Sequence, residues 1–128
     1  MRATTEIIAP DADDPRARIE PFRRCVAFGI GRIIVTPGAR AALAVTGETH
    51  DKYLVRHRTG RWNETPIGER ERNVRATRSQ RDSVLSHHHL KNGARLWLAT
   101  TDDRSRTFIF TPEEVGEVIF TEREERAA

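Results

Sequence analysis

The sequence predicts an α+β domain: an N-terminal strand and two to three short helices, followed by an antiparallel meander sheet of three to four strands. Helix signals follow one another in the first half of the chain, and strand signals follow one another in the second half. In residues 86–110, apolar and polar residues alternate around two tight turns, as they do in a half-buried sheet. This order favours α+β over a parallel sheet built from alternating strands and helices.

The 128 residues are enough for one domain, which we expect over residues 22–121. Residues 1–21 form a polar, proline-containing leader without the apolar core of a signal peptide, and residues 122–128 form a charged tail. Cys25 is the single cysteine, which excludes an internal disulfide and fits a reducing compartment. No apolar run approaches the roughly 18 residues that a membrane-spanning helix needs. We therefore expect a cytoplasmic protein.

The first strand is expected over residues 25–35, which are rich in β-branched side chains. Thr36 and Pro37 then predict a helix start, because threonine caps free N–H groups and proline is tolerated in the first turn. This helix should end near Gly47, since glycine readily takes the left-handed conformation found after a helix C-terminus.

Two further helices are expected before the sheet. The second covers about residues 48–57, and the third begins at Thr65-Pro66 and runs to about Arg81. The third helix has few apolar positions, so it should pack on a narrow stripe and leave its charged side chains in water or on a partner. Most of these side chains are arginines: Arg70, Arg72, Arg75, Arg78 and Arg81.

The Asn92-Gly93 dipeptide predicts a two-residue type I′ turn, because both residues tolerate a positive φ angle. Such a turn places His88 opposite Trp97, and a second turn of even length extends the pairing to the next strand. A last strand is expected at residues 118–120.

Strand alternation then assigns the side chains to two faces. We expect the first face to form the main core together with Leu43 of the first helix, and the second face to be semi-open and functional; the inverse assignment is the alternative. The first face is expected to hold His88, Leu90, Trp97, Ala99, Phe108 and Phe110. The second is expected to hold Leu85, His87, His89, Leu96, Leu98, Thr100, Thr107 and Ile109.

The positive charge of the chain is concentrated in its middle. The formal net charge is +3, but residues 1–21 carry three arginines against five acids and residues 111–128 carry two against six. Residues 22–110 therefore carry about +9, nearly all of it as arginine, whose fork suits phosphate or carboxylate. This distribution indicates a phosphate-bearing partner such as RNA, with a solvated arginine-rich surface as the alternative. The expected nucleic-acid contacts are Arg70, Arg75, Arg78, Arg81, Lys91, Arg95 and Arg106.

A metal-independent ribonuclease is one hypothesis for the chemistry. Such enzymes, including small bacterial toxins, place histidine, arginine and hydroxyl side chains on an antiparallel sheet, where histidine moves protons and arginine stabilises the phosphorane. His57, at the end of a helix, and Arg104, in a strand turn, should then lie within about 10 Å of each other and open to a shared cleft. The expected catalytic residues are His57, Ser86, His87, Thr100, Arg104 and Thr107.

Two other hypotheses compete with cleavage. His87 and His89 lie on one strand face at a spacing that suits zinc, but the sequence fixes no third ligand, so we expect no metal and no cofactor. The alternative is a non-catalytic module that binds nucleic acid, or a host defence or replication protein, through the arginine-rich third helix.

Three motifs follow one another over residues 28–115. They are Gly31-Arg-Ile-Ile-Val-Thr36-Pro37-Gly38-Ala39, then Arg56-His57-x-x-Gly60-x-Trp62, then a set made of Ser86-x-His88, Gly93, Trp97, Thr100, Asp103-Arg104-Ser105-x-Thr107 and Pro112-x-Glu114. In this order they resemble a family of short bacterial proteins encoded by plasmids, prophages and integrated elements, which is generally labelled plasmid-related and sometimes mislabelled a restriction-methylase subunit. Where that family usually has Ser-x-Tyr, this chain has Ser86-His87-His88.

The resemblance implies a mobile-element protein and brings no established activity with it. Together with the charge distribution, it leads us to expect an accessory protein that acts on a phosphate-bearing partner. The action is either that of a ribonuclease-like toxin or non-catalytic binding of nucleic acid or a host protein.

Overall fold

The computed structural model describes residues 27–79 and 82–118, which form helices packed on a four-stranded mixed sheet. The predicted α+β class is confirmed. In chain order the elements are β1 (Arg32–Val35), α1 (Pro37–Thr46), α2 (Asp51–Arg58), α3 (Ile67–Ser79), β2 (Val84–His89), β3 (Arg95–Thr100), β4 (Arg106–Phe110) and a 3₁₀ helix (Pro112–Glu114). Within the described residues, no helix combines the length and apolar character needed to cross a membrane.

The strand order in the sheet is β1-β4-β3-β2, with β1 parallel to β4 and the other neighbours antiparallel. The first strand is shorter than the predicted residues 25–35, because residues 27–31 are not strand. At Gly31 the φ angle is +62°, and a Cβ atom there would overlap the carbonyl of Ser105. Regular pairing with β4 therefore begins only at Arg32, whose N–H donates to Ser105 O at 2.9 Å.

The predicted boundaries of α1 are confirmed. The hydroxyl of Thr36 accepts from the N–H of Ala39 at 3.2 Å, and Pro37 occupies the first turn. Gly47 ends the helix with a φ angle of +71°, and its N–H donates to Ala44 O at 3.2 Å. Both ends are fixed by residues next to the helix in sequence, which is why local signals predicted them.

A single carboxylate joins α1 to the end of β4. Glu114 accepts hydrogen bonds from the hydroxyl of Thr36 at 2.6 Å and the N–H of Gly38 at 2.9 Å. It also accepts from the N–H and the hydroxyl of Thr111, at 2.9 and 3.0 Å. Partial burial works against ionisation, yet these bonds hold the pKa of Glu114 below its ordinary value. One negative charge thus caps the N-termini of α1 and of the 3₁₀ helix.

Helices α2 and α3 lie near their predicted positions. The second helix starts three residues later than residues 48–57 predict, and the third follows Thr65-Pro66 as expected and is described to Ser79, so that Arg81 lies outside the described residues. The buried side of α3 is narrow and polar, with Asn73, Ala76 and Thr77 as its buried residues.

The outer edge of β2 is closed by side chains from the segment that leads into and forms α3. Asn73 accepts from the N–H of Leu85 at 3.2 Å and donates to its carbonyl at 2.6 Å. Two residues further along the strand, Thr65 Oγ1 accepts from the N–H of His87 at 2.9 Å. Glu64 then accepts from the N–H of the strand's last residue, His89, at 2.7 Å. Every outward N–H of this edge strand therefore has an acceptor, which prevents another strand from pairing with it.

The turn between β2 and β3 differs from the prediction. It contains three residues, Lys91 to Gly93, because Leu90 donates its N–H to Ala94 O at 2.8 Å. Only Gly93 has a positive φ angle, at +88°, so the turn is not type I′. Three-residue turns with a left-handed glycine are a common alternative, and the added residue changes the parity of the hairpin.

This change of parity moves the side chains of β2 to the opposite faces. His87, not His88, lies opposite Trp97, and Ser86 lies opposite Leu98. The predicted grouping within β3 and β4 is confirmed, since Trp97 pairs with Phe110 and their shared turn has even length.

The main core lies on the face opposite to the one expected. Its centre is the fully buried trio of Leu96, Leu98 and Ile109, covered by residues of α1 and α2 that include Leu43, Tyr53 and Leu54. The aromatic face forms a separate, smaller cluster of Phe108, Phe110 and Val118, against which Trp97 packs while only half-buried. The expectation that Leu43 shares a core with Trp97 is therefore wrong.

The predicted last strand is also wrong at its first residue, because residues 115–118 are helical. The remaining residues of that strand, 119 and 120, lie outside the described residues, as do the predicted leader, Cys25 and the predicted tail.

Removing the charge of Glu114 should destabilise the fold. We expect Glu114→Gln to lower the free energy of unfolding by about 1–3 kcal/mol, because the amide replaces an acceptor of four hydrogen bonds, some from helix N-termini. Urea unfolding at pH 7 measures this change. Glu113→Gln is the matched control, since Glu113 is exposed and next in sequence. Equal losses in both variants would contradict the capping role.

Candidate functional site

Three of the expected catalytic residues meet beneath α2, on the core face of the sheet. The ring of His57 lies between two hydroxyls: its Nδ1 is 2.7 Å from Ser86 Oγ and its Nε2 is 2.7 Å from Thr100 Oγ1. All three side chains are fully buried. The C-terminal turn of α2 places the imidazole over the sheet, and alternation in β2 and β3 aims both hydroxyls at it.

The hydrogen-bonded chain continues at both ends. At one end Ser86 Oγ lies 2.8 Å from Nε2 of His88, which is 2% exposed. At the other end Thr100 Oγ1 lies 2.6 Å from Thr107 Oγ1, which donates to the carbonyl of Ile30 at 2.7 Å. Five side chains from α2 and three strands thus form one continuous buried network, which we call the histidine chain.

The carbonyl of Ile30 determines the direction of every hydrogen bond in the histidine chain. A carbonyl only accepts, so the hydroxyl proton of Thr107 points to Ile30, and Thr107 must accept from Thr100. Thr100 in turn accepts from Nε2–H of His57. The Nδ1 atom of a neutral His57 then carries no proton, and it accepts a hydrogen bond from the hydroxyl of Ser86.

The same logic assigns the second histidine. Because the hydroxyl of Ser86 donates its hydrogen bond to His57, Ser86 Oγ must accept one from His88. His88 therefore carries its proton on Nε2. Burial lowers the pKa of His57 to about 3, with further repulsion from His88 and Arg104. Burial also lowers the pKa of His88 to about 4, with Arg56 adding to the effect. Both rings are neutral at pH 7, as the directed chain requires.

Arg104 lies near the histidine chain but is held by backbone carbonyls. It has a left-handed φ angle of +63° in the β3–β4 turn. Its guanidinium lies over the ring of Phe28, with Cζ 5.5 Å from the ring centre. Its guanidinium donates to the carbonyls of Ala76, Asp82, Thr101 and Asp102, at 2.7–3.2 Å. These bonds tie the turn to the end of α3, so the structure gives Arg104 a structural role where we expected an anion contact.

The expected shared cleft between His57 and Arg104 is absent from the described residues. Phe28 fills the space between them, with its ring centre 5.2 Å from that of His57 in an edge-to-face contact. The buried ring of Phe28 therefore lies between His57 and Arg104, and His57 is 0% exposed. Substrate has no access to His57 in this conformation.

His87 does not join the histidine chain, because the three-residue turn places it on the aromatic face. Its ring stacks on Trp97 with centres 4.3 Å apart, and its Nε2 lies 3.0 Å from Glu69 Oε1. His89 pairs with Glu64 instead, at 3.2 Å. The two histidines do not converge, and the described residues contain no group of three or more potential ligands that could hold a metal ion.

His88 is the network residue that our list of catalytic residues omitted. The omission follows from the wrong parity of the Asn92-Gly93 turn, which assigned His88 to the other face. The Ser86-x-His88 spacing held the signal, because residues two apart on a strand share a face.

The expected nucleic-acid contacts are divided among three places. Arg75 and Arg78 are exposed on the outer face of α3 together with Arg72, whereas Arg70 is half-buried. Lys91 and Arg95 are exposed at the hairpin between β2 and β3. Arg106 is 9% exposed and its guanidinium lies over Phe108, at 5.8 Å, so it is not a surface contact.

A groove of about 430 Å³ lies between α3, the start of β2 and the β3–β4 turn. Its charged lining is mainly acidic, with three carboxylates against one arginine, which disfavours a phosphate group inside the groove. The arginine is Arg72, whose side chain is also exposed to solvent outside the groove. The lining residues are Glu69, Arg72, Asn73, Asp82, Ser83, Leu85 and Asp102.

Comparisons of the chain with protein-family models, with curated proteins and with solved structures each return no match.

The depressed pKa values of the two buried histidines make stability depend on pH. In the unfolded chain both histidines become protonated as the pH falls below their ordinary pKa of 6.5. In the folded chain His88 becomes protonated only near pH 4 and His57 only near pH 3. The unfolded state therefore binds more protons than the folded state below pH 6.5, so we expect the free energy of unfolding to fall from pH 7 to pH 5. Each histidine contributes up to about 1.4 kcal/mol for each pH unit. Urea unfolding at half-unit pH steps measures the slope.

One variant separates His57 from other groups. His57→Gln should remove part of the slope between pH 5 and 6.5, whatever its effect on stability at pH 7. A slope that is the same in this variant and in the wild type would show that His57 does not titrate as described.

The proton positions are testable by nuclear magnetic resonance. We expect long-range ¹H–¹⁵N spectra at pH 7 to show His57 and His88 as neutral Nε2–H tautomers with a non-protonated Nδ1, because the histidine chain ends on a carbonyl. An Nδ1–H tautomer for His57 would reverse the assigned direction of the chain.

Proposed function

We propose that this protein is a non-catalytic nucleic-acid-binding module that contacts the phosphate backbone through the outer face of α3. The observation that carries this proposal is the exposed arginine row Arg72, Arg75 and Arg78. Residues three apart on a helix share a face, and guanidinium groups in a row match the repeating charge of a phosphate backbone.

The helix is a fixed platform for these arginines. Its inner side is held to the edge of β2 by the two hydrogen bonds of Asn73, and Ala76 packs with Trp62 and Val84. The outer face therefore projects from the sheet in a constant orientation, which reduces the entropy lost when a long polyanion binds.

The charge around this platform supports the proposal. Residues 56–79 carry seven arginines against three glutamates. Trp62 and Ala76 belong to one buried cluster, which places the end of α2 and the segment after it near α3. Arg58 and Arg61 are exposed there. An excess of exposed arginines attracts nucleic acid without reading its sequence.

Binding is preferred to cleavage because the candidate catalytic groups lack access to a substrate. General acid–base catalysis needs the proton-transfer group within hydrogen-bonding reach of the reacting atom. His57 is fully buried, and Arg104 is engaged with four carbonyls. The proposed setting is the cytoplasm, as the composition of the sequence indicates, and a bacterial mobile element, as the family resemblance implies.

The test compares two double variants by fluorescence anisotropy with labelled duplex DNA and single-stranded RNA. We expect Arg72→Gln/Arg75→Gln to weaken binding at least tenfold at 100 mM salt. Its plot of log affinity against log salt should also become shallower, by about 0.9 for each lost contact to duplex phosphate. Arg40→Gln/Lys52→Gln is the matched control, because it removes the same charge from exposed positions on α1 and α2.

Equal weakening in both variants would show that net charge alone drives association. Absence of binding by the wild type at 100 mM salt would favour a protein partner. Incubation of the same preparations with total RNA, with and without EDTA, tests for cleavage: products that persist in EDTA and disappear in His57→Gln would support the ribonuclease hypothesis and overturn the proposal.

A further inference from the structure

We propose that the outer edge of β1 is a dimerisation site, at which β1 of a second copy of this chain pairs in antiparallel orientation and joins the two sheets into one. β1 is the edge strand at one side of the sheet, and β2 is the edge strand at the other. This inference goes beyond the proposed function, because α3 and its arginine row are bonded to the opposite edge, at β2.

The backbone groups of Ile33 and Val35 point away from the sheet. In a parallel pair only alternate residues of a strand bond to the neighbouring strand. Arg32 and Thr36 donate their N–H groups towards β4, at 2.9 and 3.0 Å, so the even-numbered residues face β4. The N–H and carbonyl groups of Ile33 and Val35 therefore face outward, and no described residue bonds to them.

The two edges of the sheet differ in how they are protected. On β2 every outward N–H has a side-chain acceptor from α3 or the segment that leads into it. The part of the chain that the structure describes gives β1 no such cover, and the residues before β1 turn onto the core face, where the carbonyl of Ile30 accepts from Thr107 and Phe28 packs over the histidine chain. Proteins usually block an edge strand that could pair with another chain. An unblocked edge opposite a blocked one therefore favours a partner strand at β1.

The side chains of β1 are suited to extend both faces of the sheet. Residues 33–35 are all β-branched and apolar, and Ile33 is 38% exposed. Val35 packs against the main core, and Ile34 packs against the aromatic cluster on the other face. A strand added at this edge would bury Ile33 and continue both apolar clusters across the junction.

A second copy fits this edge because the strand is complementary to itself about a two-fold axis at Ile34. In this register Ile33 of each copy exchanges both backbone hydrogen bonds with Val35 of the other, which satisfies all the outward groups. The two Ile34 residues face each other as a pair without hydrogen bonds, where side chains approach most closely. The same patch then contacts itself, as a two-fold dimer requires.

Charge complementarity supports the same register. Arg32, which is exposed, lies opposite Thr36 of the second copy, and the hydroxyl of Thr36 donates to Glu114 at 2.6 Å. The donors that hold Glu114 are all neutral, and no cation among the described residues pairs with it. Each end of the junction thus brings an arginine of one copy near an uncompensated carboxylate of the other.

Sedimentation equilibrium of the full chain, from micromolar to millimolar concentration, should show a reversible monomer–dimer equilibrium. Ile33→Pro should raise the dimer dissociation constant roughly tenfold or more, because proline removes an outward N–H and leaves the bonds to β4 intact. Ile67→Pro is the matched control and should leave the constant unchanged, since Ile67 is 45% exposed and opens α3, where proline is tolerated.

Two results of this experiment would overturn the proposal. A wild type that stays monomeric throughout would leave the β1 edge to a strand of another protein. A dimer that Ile33→Pro and Ile67→Pro weaken equally, or that neither weakens, would place the interface elsewhere.

Disulfide cross-linking tests the register without a proline variant. In a Cys25→Ser background, Ile34→Cys should form a covalent dimer on mild oxidation, because opposed residues of a pair without hydrogen bonds have Cα atoms about 4.5 Å apart. Ile33→Cys is the control: a two-residue offset along the strands separates its two copies by more than about 7 Å, which a disulfide does not span. Cross-linking of Ile34→Cys alone supports the dimer, and any other pattern would overturn it.

Discussion

The directed hydrogen bonding of the histidine chain is the constraint on which the rest of the fold depends. The histidine chain begins at His88 in β2, includes His57 of α2 and ends at the carbonyl of Ile30, just before β1. It therefore connects the two edges of the sheet through its centre. A buried polar group without a partner costs free energy, and this network satisfies each ring and hydroxyl only in one arrangement. Neutral histidines, the register of β2 and the position of the segment before β1 are thus fixed together.

Long-range side-chain contacts replace regular secondary structure at the periphery. Glu114 fixes α1 to the end of β4, and Arg104 fixes the β3–β4 turn to the end of α3. In both cases a charged side chain satisfies backbone groups that helix ends or turns leave unpaired. Charged residues that would serve as ligand contacts in another protein are thereby used to hold short elements in place. The arginines of the outer face of α3 are exposed at the surface of the domain.

The sequence allowed the fold class and most elements to be predicted, because their signals are local. Thr36, Pro37 and Gly47 mark the ends of α1 by their own backbone preferences. The convergence of His57 with Ser86, Thr100 and Thr107 was also predicted. Its burial was not, since the covering residue Phe28 lies in a segment whose β-branched composition resembles a strand. Asn92-Gly93 fits two turn lengths, and the choice between them depends on how the sheet packs against α2.

The turn at Lys91 to Gly93 has a consequence for how related sequences can diverge. Side chains on a strand alternate between faces, so a single-residue insertion or deletion in this turn would exchange the environments of His87 and His88. Ser86 would move to the aromatic face with His88, and His57 would lose its partner. Length changes at this hairpin are therefore compatible with the buried network only in steps of two residues, or when a compensating bulge restores the alternation.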